Sequence, residues 1–218
     1  MKVRVEQKIL DKNEQCAEAN RSFFPKKGVG FVNMISSPGS GKTTILARTV
    51  KDLMGELHIA VIEGDLETDR DARRILEVGG QAVQIETKGS CHLSARQVTE
   101  SVHKLQLEGL ELVVVENVGN LVCPSDFDLG EDSRVVVLST PEGDDKCAKY
   151  AKAFVKADVL VINKIDIGAM LGFDYEKVAS EALKLNKGLK IFKVSAKTGE
   201  GMDVWYDWLR SRYRKNQG

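Results

Sequence analysis

Long apolar runs are missing from this chain. No stretch approaches the length of a membrane span, and the opening residues MKVRVEQKIL lack a signal-peptide pattern. A cytoplasmic protein is therefore expected. An excess of either charge is missing too. Lys+Arg and Asp+Glu each number 32, which removes the overall field that would draw the chain to nucleic acid or an anionic membrane. The local basic cluster Arg210, Arg212, Arg214 and Lys215 reads as a solvated face of the last helix. Histidine is scarce, with His58, His92 and His103 only, so a histidine-rich metal-storage tract is excluded. The four cysteines are Cys16, Cys91, Cys123 and Cys147. In a reducing compartment they read as thiols or metal ligands, not as a disulfide framework. Internal repeats and low-complexity linkers are absent as well.

What remains is 218 residues, 42% apolar and 29% charged. That suffices for one well-buried α/β domain and is short for two. The first segment, about 5–24, has the scattered apolar positions of an amphipathic helix. Pro25, Lys26, Lys27 and Gly28 should end it, which makes 1–27 a helical extension and 28–218 the main domain. Short Val/Ile-rich runs follow at 31–35, 58–62, 82–85, 112–115, 135–138, 159–162 and 190–194. Helical patterns fall between them at 42–54, 69–78, 94–106, 146–156, 175–185 and 202–213. Such alternation predicts βαβ units, a mostly parallel central sheet and a three-layer α/β sandwich. Ligands of such sheets sit at the carboxyl ends of the strands.

The first strand is followed by Ser36-Ser37-Pro38-Gly39-Ser40-Gly41-Lys42-Thr43-Thr44. The P-loop pattern G-x-x-x-x-G-K-[ST] is met except at its first position, where Ser36 replaces glycine. Gly39 and Gly41 let backbone N–H groups turn toward phosphate, with Pro38, Ser40 and Thr44 completing the loop. Lys42 is placed to reach the β- and γ-phosphates, and the Thr43 hydroxyl to ligate Mg²⁺. The helix N-terminus adds favourable partial charge.

Two further strands end in acids. Val61-Ile62-Glu63-Gly64-Asp65 offers Asp65, and Val115-Glu116-Asn117-Val118-Gly119 offers Glu116 with glycine three residues on. Acids so placed hold Mg²⁺ directly or through water, and the Gly119 N–H would sense the γ-phosphate. Asp71 is a candidate for orienting the attacking water. Asp69 reads equally as that group or as an acid at a helix N-terminus. No glutamine occupies a water-positioning place, so slow hydrolysis is expected unless a partner completes the site.

Asn163-Lys164-Ile165-Asp166 is an N-K-x-D sequence directly after a buried strand. The Asp166 carboxylate can accept from guanine N1–H and the 2-amino group together, whereas adenine offers neither donor there. The Lys164 stem can cover the base plane while Asn163 braces the loop. Ser195-Ala196-Lys197 follows the last strand, where a backbone N–H would reach guanine O6. The combination points to GTP over ATP.

Cys91 and His92 open one helical pattern, and Cys123 lies four residues past Gly119. Two thiolates and an imidazole suit Zn²⁺, Ni²⁺ or Cu⁺. Adjacent side chains such as Cys91 and His92 rarely serve one tetrahedral ion comfortably. Two chains meeting here would bring six ligands, an arrangement for transfer and not storage. The other reading is two buried thiols and a surface histidine. From Gly119 to Cys123 an extended chain spans at most ~13–14 Å, so movement of the γ-phosphate loop could displace a metal ligand.

With these residues in hand the chain resembles the HypB family, GTPases that assist nickel insertion into nickel–iron hydrogenase. The matching segments are SSPGSGKTT (36–44), EGD (63–65), KGSCH (88–92), VENVGNLVCPSDFDLG (115–130), TPEGDDK (140–146), NKID (163–166) and SAKTGEG (195–201). The resemblance implies a P-loop GTPase of the dimerising SIMIBI class that pairs on GTP binding. It implies a nickel or zinc site at Cys91, His92 and Cys123, and switch acids at Asp71 and Glu116. It also implies GTP/GDP and Mg²⁺ as cofactors. The implied partners are a second copy, a HypA-type zinc protein and the hydrogenase large-subunit precursor. Some members begin with a cysteine-rich nickel motif or a histidine tract; these residues contain neither. Two other functions share much of the pattern: a urease-maturation or cobalamin-enzyme chaperone GTPase, and a nucleotide-gated dimer stapled by zinc. The urease type should show Cys-Pro-His, where this chain has Cys91-His92-Leu93.

Overall fold

The computed structural model describes residues 2–65, 70–87 and 89–214, with side chains from residue 10 onward and that of Asp65 excepted. Its elements begin with α1 (Lys2–Lys27), β1 (Gly30–Ser36), α2 (Lys42–Asp52), β2 (Ile59–Asp65), α3 (Arg70–Glu77) and β3 (Gln81–Glu86). Next come α4 (Ala95–Val102), β4 (Leu112–Gly119), α5 (Cys123–Asp126), β5 (Ser133–Ser139), α6 (Lys146–Lys149) and α7 (Ala151–Val155). The chain closes with β6 (Val159–Asn163), α8 (Tyr175–Leu185), β7 (Lys190–Lys193) and α9 (Met202–Tyr213).

The seven strands form one sheet in the order β3-β2-β4-β1-β5-β6-β7, and every neighbouring pair is parallel. Strands β1, β4, β5 and β6 are almost wholly buried, as their continuous Val/Ile/Leu runs require of a sheet covered on both faces. Side chains alternate between the two faces. Val32 and Met34 pack with Ile45, Leu46, Ile75 and Trp205 from α2, α3 and α9. On the opposite face Phe31 meets Phe24 of α1 and Val98 of α4, while Ile35 joins the cluster of Cys147, Phe154 and Val178 from α6, α7 and α8. Three layers result, an α/β P-loop NTPase fold. Among the described residues no helix is long and apolar enough to cross a membrane.

Three elements depart from the periodicity. Helix α1 runs on through Pro25 instead of stopping before it. It ends in a Schellman motif: the Val29 N–H reaches the Phe24 carbonyl (3.1 Å) and the Gly28 N–H the Pro25 carbonyl (2.9 Å). Pro25 removes one intrahelical donor in the last turn, and the chain leaves the helix after Lys27. The helix expected over 146–156 is divided at Tyr150, whose backbone (φ −125°, ψ 40°) leaves helical values. Helix α4 starts at Ala95 because Ser94 and Gln97 close a reciprocal capping box.

The basic cluster near the end is largely absorbed by local pairs. Arg210 bonds Glu56 at 2.9 Å and Asp207 at 2.9 Å, and Arg212 donates to the Asp132 carbonyl at 3.0 Å. Lys215 lies outside the described residues.

Candidate functional site

Two cavities lie side by side at the carboxyl edge of the sheet. The larger, about 480 Å³, is lined by Pro38, Gly39, Gly41, Lys42, Thr43, Thr44, Asp71 and Glu116, among others. The second, about 340 Å³, is lined by Asn163, Lys164, Asp166, Ser195, Ala196 and Lys197, with Ile167. Gly41, Thr44 and Lys164 border both. The phosphate-loop residues and the residues expected to read the base are thus neighbours despite a separation of more than a hundred positions.

The loops are tied together directly. Asn163 Nδ2 donates to the Ser40 carbonyl (2.9 Å), and its Oδ1 accepts from the Ala196 N–H (3.1 Å). Lys164 Nζ donates to the Gly39 carbonyl (2.7 Å). Ser195 Oγ donates to Asp166 Oδ1 (2.7 Å), orienting the carboxylate. At Gly41 φ is 97°, and an added Cβ would lie 2.5 Å from Asn163 Nδ2. Both the backbone sign and the crowding require glycine there.

Ser36, the departure from the P-loop pattern, is fully buried and has a structural use. Its Oγ accepts from Ser40 Oγ (2.6 Å) and Lys42 Nζ (2.7 Å) and donates to the Ser37 carbonyl (2.7 Å). Thr43 Oγ1 donates to Glu116 Oε1 at 2.9 Å, and Lys42 Nζ stands 3.9 Å from the same oxygen. Asp71 lies at the start of α3, 3.6 Å from Arg74 Nη1. The backbone of Asp65 ends β2, while its side chain, like Asp69, lies outside the described residues.

Glu63 faces Glu116 across the β2–β4 ladder. Burial and the neighbouring Glu116 charge push the Glu63 carboxyl well above the usual range. Burial also raises Glu116, with Lys42 opposing the shift. The two carboxyl groups share a hydrogen bond. Among the described residues Glu63 Oε1 and Glu116 Oε2 have no hydrogen-bond partner. Orphaned carboxylate oxygens beside a threonine hydroxyl, in a cavity lined by a lysine, are a donor set that fits Mg²⁺.

The three metal candidates also converge. One ligand atom from each of Cys91, His92 and Cys123 lies within 4.8 Å of the other two. Cys91 Sγ and His92 Nδ1 are 3.6 Å apart. Bonds of about 2.3 and 2.05 Å at a tetrahedral angle put sulfur and nitrogen roughly 3.6 Å apart, so adjacency in sequence does not prevent shared coordination. A hydrogen bond with Cys123, followed by burial, raises the Cys91 thiol. Burial lowers His92, favouring the neutral imidazole that metals bind. Asn120 Nδ2 donates to the Cys91 carbonyl at 3.3 Å.

The nucleotide-binding domain described as CobW/HypB/UreG matches residues 31–193. Hydrogenase maturation factor HypB of Rhizobium leguminosarum bv. viciae is 49% identical over 207 residues, covering 95% of this chain and 69% of that protein. The chain belongs to the HypB family. The structure of HypB from Helicobacter pylori in complex with nickel superposes with a TM-score of 0.88 at 37% identity, covering 95% of this chain and 99% of that one. HypB from Archaeoglobus fulgidus gives 0.86 at 39% identity, covering 93% and 98%. The signal recognition particle receptor FtsY of Elizabethkingia anophelis shares the fold alone, with a TM-score of 0.53 at 15% identity.

Four residues of this HypB-family chain enter the site without having been singled out from sequence. Glu63 is one; its signal was its place two residues before Asp65 on a strand ending in acids. Arg74 is another, donating to Thr44 Oγ1 at 3.0 Å and lining the larger cavity; its spacing of three from Asp71 was the available hint. Strand alternation sends Asn117 to the face opposite Glu116. There its Oδ1 accepts from the Leu93 N–H at 3.2 Å and its Nδ2 donates to Asn33 at 3.2 Å. Phe127 stacks on His92, with ring centroids 3.6 Å apart and planes 24° apart. No local pattern announces that contact.

Proposed function

We propose that this chain is a GTP-hydrolysing metallochaperone that assists nickel delivery to nickel–iron hydrogenase. In this reading residues 28–218 form the GTPase domain and 1–27 a helical extension of it. The smaller cavity takes guanine, with Asp166 as the acceptor and Lys164 over the base. The larger takes the phosphates, with Lys42 and the loop N–H groups around them. Thr43, Asp65, Asp71 and Glu116 would hold Mg²⁺, which supplies charge neutralisation at the phosphates when bound. Lys42, Asp71 and Glu116 serve hydrolysis, which stays slow until a second subunit or partner completes the site.

Cys91, His92 and Cys123 carry the nickel or zinc cargo at a surface where two copies pair when GTP binds. A HypA-type zinc protein and the hydrogenase large-subunit precursor are the partners of that transfer. One observation carries the reading: a Cys/His donor cluster is joined through Leu93 and Asn117 to the strand end whose Glu116 bonds the P-loop threonine.

The test is metal content and mass in solution, with and without a non-hydrolysable GTP analogue. The analogue should double the mass, and nickel or zinc should bind stoichiometrically in wild type and less in Cys123→Ala. Unchanged mass refutes the GTP-controlled dimer. Equal metal binding by the variant removes Cys123 from the site.

A further inference from the structure

Helix α1 carries two buried asparagines seven residues apart, Asn13 and Asn20, with 8% and 2% exposure. Their amides reach the same two segments. Asn13 Oδ1 accepts from the Ala95 N–H (2.9 Å), while its Nδ2 donates to the Asp128 carbonyl (2.6 Å). Asn20 Nδ2 donates to the carbonyls of both Ala95 (3.0 Å) and Leu129 (2.9 Å). Its Oδ1 accepts from Thr99 Oγ1 (2.7 Å), which fixes the orientation of the amide. Both backbone groups of Ala95 and two consecutive carbonyls of the other segment therefore end on one helix. Asn13, Ala17 and Asn20 share a helical face by their spacing. At the middle of that face a Cβ on Gly130 (φ 83°) would come within 2.2 Å of the Ala17 carbonyl oxygen, so helix and loop meet backbone to backbone.

The two segments are those that bring the metal donors. Ala95 stands three residues after His92. Asp128 and Leu129 directly follow Phe127, whose ring lies on His92, and Cys123 opens the short helix leading into Phe127. An asparagine offers a donor and an acceptor at one point, so it can satisfy loop backbone from two segments that share no ladder. Apolar packing alone would hold α1 to the core without setting the distance between those segments. We infer that Asn13 and Asn20 are positioning residues of the metal site: through them α1 sets the spacing between the Cys91–His92 segment and the Cys123 segment. The inference rests on the proposed Cys91, His92 and Cys123 site.

Asn20→Asp is nearly isosteric and replaces the twofold donor by an oxygen facing two carbonyls. Asn13→Asp keeps the acceptor for Ala95 and sets an oxygen against one carbonyl, that of Asp128, instead of two. Each full-length variant is compared with wild type by nickel dialysis, by nickel–thiolate charge-transfer absorption and by guanine-nucleotide affinity. Asn20→Asp should weaken nickel binding by about 10–100-fold, the range seen when groups that orient metal ligands are lost. Its charge-transfer band should shift, Asn13→Asp should lose less, and nucleotide affinity should stay unchanged.

Nickel affinity equal to wild type overturns the inference, and so does a parallel loss of nucleotide and nickel binding, which marks a role in folding alone. If Asn20→Asp does not fold, Asn20→Ser removes the reach to Leu129 without adding charge and is judged by the same measurements. If Cys123→Ala also keeps full nickel binding, the proposed metal site itself falls, and this inference with it.

Discussion

Replacing Asp166 by Asn changes the chemistry of the base cavity and almost none of its shape. Among the described residues the carboxylate accepts a hydrogen bond from Ser195 Oγ at 2.7 Å. A hydroxyl rotates to donate or accept, so Ser195 keeps a partner in the variant, and the effect falls on the ligand. In the proposed complex the carboxylate accepts from guanine N1–H and the 2-amino group. Hydrogen bonds to a charged group contribute about 1.5–3 kcal/mol each. The amide keeps one acceptor and turns the other into a donor, so one bond is lost and the second loses its charge, together about 2–4 kcal/mol, or roughly 30- to 10³-fold in affinity. Xanthine carries an oxygen where guanine carries the 2-amino group, so the new amide donor recovers one bond. Competition with unlabelled GTP, XTP and ATP against a labelled nucleotide measures the outcome. Asp166→Asn should prefer XTP to GTP, and ATP should stay weak for both proteins. GTP competing within about threefold of its wild-type strength would refute the guanine assignment.

Lys42→Ala should lower GTP turnover at least about tenfold, which is about 1.4 kcal/mol of barrier; phosphate release at saturating GTP checks it, and unchanged turnover removes Lys42 from the site. Glu131 and Arg134 form a buried ion pair (Nε–Oε1 2.7 Å) that also receives Asn33 Nδ2 and anchors the 125–131 segment. Glu131→Ala should cost about 3–5 kcal/mol of stability by leaving a buried guanidinium without its carboxylate; a urea-denaturation difference below about 1 kcal/mol would count against it. Burial pushes the Cys147 thiol from 9.0 up to about 12. The fold favours its protonated form, so this contribution to stability is complete below pH 9.0 and is lost as pH rises toward about 12. In thiol labelling at mildly alkaline pH, Cys91 should react in the native state and Cys147 only after denaturation; rapid native labelling of Cys147 contradicts its burial.

Legibility in the sequence followed how local each signal is. The strands β1, β4, β5 and β6 were visible because burial on both faces demands unbroken Val/Ile/Leu runs. The phosphate loop was visible although Ser36 breaks its pattern, since Gly39, Gly41, Lys42 and Thr43 keep their spacing. Strand β7, partly exposed at the sheet edge, was visible mainly through its neighbours. The convergence of Cys91 and His92 with Cys123 was suggested by residue type, but its distances depend on where β4 ends and how α5 turns, which are tertiary facts. Asn13 and Asn20 escaped notice for a physical reason. Amphipathic periodicity counts apolar residues, so a buried amide in a helix looks like a solvent position until its partners, some 75–115 residues away, are in place. Glu63 escaped because its importance comes from the carboxylate beside it on another strand.

Gly41 borders both cavities at the carboxyl edge of the sheet, and Asn163 leaves it no room for a side chain. The walls of the two cavities are consequently one mechanical unit, joined where Gly41 has no Cβ. Even one methyl at this point would pry Asn163 from Ser40 and loosen both ends of the ligand together. In the proposed function Asp166 and Glu116 can vary separately, one at each end of the ligand, whereas position 41 offers no such independent adjustment.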